Sequence, residues 1–459
     1  MIRVTHVITG LAPQGAEMML YKLTSHMDRS SFVNEVISLT NWHEKWPDWP
    51  PMREQLKASG VQTRALSMRR GIPSPYQLLR LVQWLRESRP HVVQTWMYHA
   101  NLIGGLAARL AGHPPVVWGI HHTNLDPRQN KRHAVWTARV CAGLSHQIPS
   151  RIVCCSEISR QVHVRLGYAE EKTIVIPNGF DLSQFRPDAQ SRTSFRRELG
   201  LPEETLLIGV AARFHPLKGH RNFVEAAARV HARFPNVHFV LCGRDVDRNN
   251  AELMHWIHRT GTGLAAVCHL LGVRDDMPRF FAAIDIATSP SVSEAFPNAV
   301  GEAMACGTPC VVTNAGDSAA LVGDTGKVVP PGDPNALAEA LMELVTSGPA
   351  VREQLGALAR KRVAQRYSLG SVVEHYQETY RQVLAVLPKV AAKKERAHDP
   401  TAWRVLGRTL YALHCCEKKS REMVEKQVQA ITRGLSARHG YIQRPPVRQP
   451  NGRRNDAGR

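Results

Sequence analysis

The chain has 459 residues, 43% of them hydrophobic, and a net charge of +20. At about 150 residues per domain that length calls for two or three domains, and the apolar content gives each a core, which excludes wholesale disorder. No uninterrupted apolar run reaches about 18 residues, which excludes a membrane-spanning helix, and the opening MIRVTHVITG is too short and too polar for the core of a secretory leader.

Residues 4–8 read as a short apolar strand that enters the turn-rich loop Gly10-Leu11-Ala12-Pro13-Gln14-Gly15. Residues 16–26 follow with helical periodicity, carried by Met18, Met19 and Leu23. Strand, glycine loop and helix open an α/β unit. The pattern repeats with strands at 33–39, 91–95, 116–120 and 152–155 and helices at 76–88 and 102–111. Three tryptophans, Trp42, Trp46 and Trp49, sit in a proline-containing loop and suit either a glycan, a membrane interface or packing on their own domain. A connector, Ile174 to Pro187, ends its strand at Pro177 and turns at Asn178-Gly179. A second series then runs with strands at 206–211, 237–241, 267–271, 284–288 and 310–313, and helices at 221–234, 251–260, 277–283, 297–305 and 334–347. The alternation predicts two doubly wound, Rossmann-like domains, 1–187 and 188–388, with ligands outside the carboxyl ends of the strands in the cleft between them. A final helix at about 370–388 is expected to pack back toward the first domain. Residues 389–459 form a basic extension with candidate helices at 403–413 and 421–435 and an Arg-, Pro- and Gly-rich end from Arg438, read as disordered.

Charge follows this division. Residues 1–187 hold 22 basic and 12 acidic side chains, residues 188–388 hold 20 and 21, and residues 389–459 hold 17 and 6. A neutral middle between two basic ends points to an anionic partner for the ends. The nine cysteines have no framework or metal-site spacing, with Cys154–Cys155 and Cys415–Cys416 adjacent, and read as thiols of a reducing compartment.

The most informative stretch is SPSVSEAFPNAVGEAMACGT, residues 289–308. A strand ends near Ser289, a loop carries Glu294, Pro297 suits the first turn of a helix, and Gly307 ends it. The helix start offers the N–H groups of Asn298, Ala299 and Val300 and the positive end of the dipole, a ready site for a diphosphate. Glu294 precedes this site and Glu302 is expected to face out from the second turn. Carboxylates there accept hydrogen bonds from sugar and ribose hydroxyls. Alone, two acids at this spacing would read as solvated surface groups; the helix start between them changes that reading.

This segment resembles the Glu-x7-Glu signature of family 4 retaining glycosyltransferases, which have the GT-B fold. Gly209-Val210-Ala211-Ala212-Arg213-Phe214-His215-Pro216-Leu217-Lys218-Gly219 is similar to that family's phosphate-binding strand and loop, and Ile176-Pro177-Asn178-Gly179-Phe180-Asp181 to its interdomain connector. Gly15-Ala16-Glu17 resembles the end of its Gly-Gly-Ala-Glu loop, with Gln14 in place of the first glycine, and Leu271-Gly272-Val273-Arg274-Asp275-Asp276 resembles the turn beside the base. The resemblance spans about residues 1–388.

It implies the following roles. Glu302 would hold the ribose hydroxyls and Glu294 a donor-sugar hydroxyl. Arg213 and Lys218 would neutralise the departing diphosphate, where negative charge grows on the leaving oxygen. The backbone of Phe296, Pro297, Asn298 and Ala299 would meet the phosphates, Val273 and Arg274 the base, and Gly15 would allow close approach of a phosphate. His121, ending a strand, matches the family's histidine facing the donor sugar, with His122 as an adjacent competitor.

The expected function is therefore retaining, metal-independent transfer of a hexose-type sugar from a nucleoside-diphosphate sugar, such as a UDP- or GDP-sugar, to a glycan or lipid-linked acceptor. No other cofactor is expected. Cell-envelope polysaccharide or glycolipid biosynthesis fits this, in the cytoplasm and peripheral on its membrane face, with anionic lipid as a partner of the basic ends. A sugar-nucleotide epimerase or phosphorylase on the same fold is the alternative enzyme class. A nucleic-acid partner is not expected, because the basic excess lies outside the motif-bearing domain and no nucleic-acid-binding motif is present.

Overall fold

The computed structural model describes residues 1–12, 15–40, 52–68, 75–126 and 130–386. They fall within one compact unit, Met1–Ala397. The second unit, His398–Arg459, lies outside the described residues, as do Trp42, Trp46, Trp49 and both helices read beyond residue 400.

Two wholly parallel sheets organise the described chain. The first joins β1 (Ile2–Ile8), β2 (Phe32–Thr40), β3 (Gln62–Met68), β4 (Val92–Trp96), β5 (Val116–Ile120), β6 (Arg151–Cys154) and β7 (Thr173–Val175) in the order β3-β2-β1-β4-β5-β6-β7. The second joins β8 (Leu206–Ala211), β9 (Val237–Cys242), β10 (Cys268–Leu270), β11 (Ile286–Ser289), β12 (Cys310–Thr313) and β13 (Lys327–Val329) in the order β10-β9-β8-β11-β12-β13. With helices over both faces, central strands such as VVQTW of β4 and VVWGI of β5 are buried at every position, so neither alternates between apolar and polar; the two buried polar groups of β4, Gln94 and Thr95, are hydrogen-bonded.

Strand order reverses between β1 and β4 in one sheet and between β8 and β11 in the other. At such points adjacent crossovers leave on opposite faces and open a crevice outside the carboxyl ends. The loops leaving β1, β8 and β11 carry Gly15, Arg213 with Lys218, and Glu294, so topology alone gathers these segments at the crevices.

Two crossings join the lobes side by side. Phe180 N donates to Tyr367 O at 2.9 Å and Leu369 N donates to Phe180 O at 2.9 Å. The helix Leu369–Ala385 then packs on the first sheet, burying Val372, Val373, Tyr376 and Tyr380 against Val4, Trp96 and Phe32. Tyr380 Oη reaches Gln94 Oε1 at 3.2 Å, and Tyr376 stacks on Trp96. Each such ring contributes about 1.5–3 kcal/mol through burial, so the returning helix is part of the first lobe's core.

Several elements differ from the sequence reading. The helix predicted at 102–111 spans Met97–Leu110, because its first turn buries the polar-looking Tyr98 and Asn101. The strand predicted at 284–288 begins at Ile286, after Asp285 has accepted the Arg192 and Arg196 guanidinium groups. The helix Gly348–Arg366 carried no apolar stripe in the sequence; it buries only Gly356, Ala359 and Val363.

Candidate active site

The loop leaving β11 is fixed from three sides. Ser291 Oγ donates to Glu294 Oε1 at 2.8 Å, and Lys218 Nζ pairs with the same oxygen. Thr123, in the loop after β5, donates its hydroxyl to the Glu294 carbonyl at 2.8 Å across the lobes. Gly316 packs beneath, with φ of 57°, and a Cβ there would lie 2.3 Å from the Glu294 carbonyl oxygen, so only glycine fits. Lys218 closes the short turn Pro216–Lys218, whose first amide is capped by His215 Nδ1, and Val292 N donates to Leu217 O at 2.8 Å. The loops of β8 and β11 are thus one stitched unit, presenting Lys218 and Glu294 together. Arg213, on the same loop, is exposed and has no ion pair among the described residues; Arg244 and Glu294 are the charges acting on it.

The helix after this loop is Asn298–Ala305. Pro297 was predicted inside its first turn; it sits one step earlier, as the cap, at φ −83° and ψ 85°. The three amides read as free are not equally so. Asn298 N donates to Phe296 O and Val300 N to Pro297 O, both at 3.1 Å, because the chain enters the helix through tight local turns. The Ala299 amide has no partner among the described residues. The Phe296 ring is buried, stacked on Phe180 and tilted against Tyr367, so only its backbone borders the site.

Glu302 does not face out. Its carboxylate is 18% exposed and lies 3.5 Å from Lys22 Nζ, on the opposing helix Gly15–His26. Burial raises its pKa, against the opposing pull of Lys22. The Lys22 ammonium also stands over the Phe180 and Phe185 rings, at 5.8 and 6.0 Å from their centroids. Helical spacing had suggested exposure, but the facing lobe covers this side. Lys22 gave no signal in the sequence, because its partner is 280 positions away.

His121 directly follows β5, with its ring stacked on Trp96, centroids 5.3 Å apart, and burial drives its pKa down to about 4. His122 instead bonds Asn130 Oδ1 at 3.1 Å, turned to the other side of the strand end. Of the two, His121 neighbours Asn178, whose Nδ2 donates to Asn298 Oδ1 at 2.8 Å. Asn298 Nδ2 in turn lies 3.5 Å from where a Cβ on Gly15 would be. Gly15, His121, Asn178 and Asn298 therefore converge at the start of the Asn298–Ala305 helix. In the same first turn as Gly15, burial pushes Glu17 up to about 7.

Val273 and Arg274 follow β10, where Gly243 N bonds Gly272 O at 2.7 Å and joins the ends of β9 and β10. Val273 is 43% exposed and open to a ligand. Arg274 is committed: it grips Asp276 through Nε and Nη2 at 2.7 and 2.6 Å and Glu198 through Nη1 at 2.8 Å, over the Phe195 ring. These carboxylates raise its pKa further and make it a brace for the turn. The sequence reading also missed Asp317, which reaches across the lobes and accepts the Glu157 and Ile158 amides at 2.8 and 3.0 Å, at the start of the helix Glu157–Arg165.

Among the described residues there is no group of three or more His, Cys, Asp or Glu that could hold a metal ion, and no helix is long and apolar enough to cross a membrane. Cys141, Cys154, Cys155, Cys242, Cys268, Cys306 and Cys310 are all buried thiols.

Comparison with known proteins bears on this arrangement. Residues 6–184 match the family model "Glycosyltransferase Family 4", and residues 205–347 match "Glycosyl transferases group 1". The chain is 29% identical over 254 residues to the UDP-Gal:alpha-D-GlcNAc-diphosphoundecaprenol alpha-1,3-galactosyltransferase of Escherichia coli, covering 53% of this chain and 63% of that one. It is 26% identical over 318 residues to the putative glycosyltransferase EpsF of Bacillus subtilis, covering 68% and 79%. A D-inositol 3-phosphate glycosyltransferase of Stackebrandtia nassauensis is 34% identical over 199 residues, covering 41% and 44%. The match thus spans less than two thirds of the length of the first and third of these relatives. Among solved structures, HepE of Anabaena in complex with UDP-glucose superimposes with a TM-score of 0.70 at 22% identity, covering 83% of this chain and all of that one. WaaG, a glycosyltransferase involved in lipopolysaccharide biosynthesis, does so with 0.63 at 16%, covering 82% and 99%. These structures share the fold.

Proposed function

The chain belongs to the family 4 glycosyltransferases of the GT-B fold, and from that premise we propose that it moves a hexose-type sugar from a nucleoside-diphosphate sugar to a glycan or lipid-linked acceptor, with retention of anomeric configuration and without a metal. The observation that carries the proposal is the meeting of Lys218 and Glu294 on stitched loops beside Arg213, at the switch point of the second sheet. A diphosphate set against the Ala299 amide would draw Lys218 from Glu294, freeing that carboxylate for a sugar hydroxyl. Arg213 and Lys218 would carry the charge that grows on the leaving phosphate. Glu302 would exchange Lys22 for ribose hydroxyls, Val273 would border the base with Arg274 bracing the turn, Gly15 would admit a phosphate, and His121 would face the donor sugar. A UDP-sugar donor is supported by the names of the Escherichia coli relative and of the HepE complex, and a lipid-diphosphate acceptor by the former.

A panel of nucleotide sugars, scored by thermal shift and by turnover with and without chelator, tests this. One donor at a hundredfold its Kd should stabilise the protein by about 2.7 kcal/mol, and turnover should survive the chelator. A panel in which none binds or turns over would sink the reading. Conversion of donor alone into an epimer would shift it to the epimerase class.

We place this chemistry in cell-envelope polysaccharide or glycolipid synthesis, on the cytoplasmic face of a membrane. On the helix Pro75–Ser88, Tyr76 is 70% and Leu79 58% exposed, beside the exposed Arg80. Apolar side chains flanked by arginine on a lobe with ten surplus positive charges suit an anionic bilayer surface. Full-length protein is expected to sediment with anionic liposomes and to be released by salt, and a chain ending at Pro388 should show how much the basic extension adds. Equal recovery with neutral and anionic liposomes would contradict the electrostatic part.

A further inference from the structure

His121 presents an unresolved pairing that its neighbour completes. Neither of its ring nitrogens, both buried, has a hydrogen-bond partner of normal geometry among the described residues. The Asn178 Oδ1, on a side chain only 6% exposed, is also buried without a donor, while Nδ2 of the same amide is committed to Asn298. Each of these groups is costly to leave unpaired in the interior. The Asn178 side chain favours the protonated imidazole, as an accepting amide oxygen does.

Among the described residues, the other groups against the stack are engaged elsewhere, the Tyr376 hydroxyl excepted, which is also buried without a partner. Trp96, stacked on one face, gives its own N–H to His6 Nδ1 at 3.3 Å, and the Met97 sulfur accepts the His121 backbone amide. Among the described residues, the titratable groups packed around this stack are His6, Tyr376 and, against Tyr376, the Cys154 and Cys155 thiols; burial keeps His6 neutral, at about 4, and keeps the phenol and both thiols protonated. A neutral imidazole has one N–H and one lone pair, and its partner decides which nitrogen carries which.

We propose that Asn178 is a positioning residue for His121: its Oδ1 accepts the ring N–H and so fixes the tautomer whose other nitrogen offers its lone pair to the donor sugar. Because the same amide holds Asn298, at the start of the helix proposed to bind the phosphates, the tautomer is set only when the two lobes are together. This rests on the transferase reading for the word donor, but the tautomer itself does not.

Imidazole 15N NMR of the full chain tests it without any substrate. In the wild type His121 should show one dominant tautomer and stay neutral to about pH 5. Asn178→Asp keeps the acceptor oxygen, so the tautomer should persist while the ring pKa rises by about one unit or more. Asn178→Ala should mix the tautomers and, in turnover assays, lower kcat about tenfold or more with donor KM changed less than about threefold. An unchanged tautomer in the alanine variant, or an unmoved His121 pKa in the aspartate variant, would overturn the proposal. Loss of the single tautomer with no sugar-nucleotide turnover in any variant would support the pairing and count against the transferase reading alone.

Discussion

Glu302→Gln is expected to lower kcat/KM for the donor by about a hundredfold or more, and Glu302→Ala to abolish measurable turnover. A ribose diol donates two hydrogen bonds to one carboxylate. Bonds to a charged acceptor are worth about 1.5–3 kcal/mol each, and every 1.4 kcal/mol is a factor of ten. Glutamine keeps the volume but offers one acceptor oxygen and no charge. The fold should survive, because Glu302 sits on the rim of the second lobe's core and its neighbours Gly301, Ala303 and Met304 make the packing contacts. The stability cost comes from leaving the Lys22 ammonium, only 14% exposed, over the aromatic rings without its anion, and should stay below the about 3–5 kcal/mol of a fully buried pair. Lys22→Ala supplies the internal control. It removes the same ion pair yet leaves the carboxylate free for ribose, so donor affinity should hold or tighten. Steady-state kinetics and thermal melts on the three variants separate a donor role for Glu302 from a purely structural one. If Glu302→Gln and Lys22→Ala behave alike, the pair holds the lobes together and nothing more.

The second large effect is expected at Lys218. Lys218→Ala should reduce kcat by about a hundred- to a thousandfold, the usual scale for removing one preorganised charge from a developing oxyanion. Arg213→Ala should follow the same direction. It is exposed and makes no ion pair among the described residues, so its loss removes a through-space attraction to Glu294 but none of the contacts that hold it. Lys218→Ala does perturb it, since Glu294 keeps only the Ser291 hydroxyl. Donor KM should therefore rise more in Lys218→Ala than in Arg213→Ala, although both lower kcat. Full activity in both variants would remove the charge-neutralising role from this loop.

Much of this was legible in the sequence, and the exceptions share a cause. The strands at 116–120, 206–211 and 310–313 were read to the residue, because buried parallel strands are short apolar runs bounded by turns. The helix start at Pro297-Asn298 and the Arg213–Lys218 loop were legible because they are local signals. The helix Glu157–Arg165 was not, since it buries only Ser159 and His163. What the sequence missed at the site is contact between lobes. Lys22 against Glu302, Thr123 on the Glu294 carbonyl and Asp317 on the Glu157 and Ile158 amides join residues 159 to 280 positions apart. None of these pairs leaves a periodicity or a motif. The same limit explains why Glu302 read as exposed: the helix face it occupies is covered by a helix of the other lobe.

A nucleotide sugar is expected to bind in the crevice where the β8 and β11 loops meet the end of β5. Hydrogen exchange of the full chain, with and without a donor identified by the panel, reads that binding amide by amide. Slowed exchange at amides within 213–219, 294–302 and 120–123 is the predicted result. Protection confined elsewhere would contradict it; one such place is the cavity of about 420 Å³ at the amino ends of β1 and β2, lined by Arg3, Glu35 and Arg64.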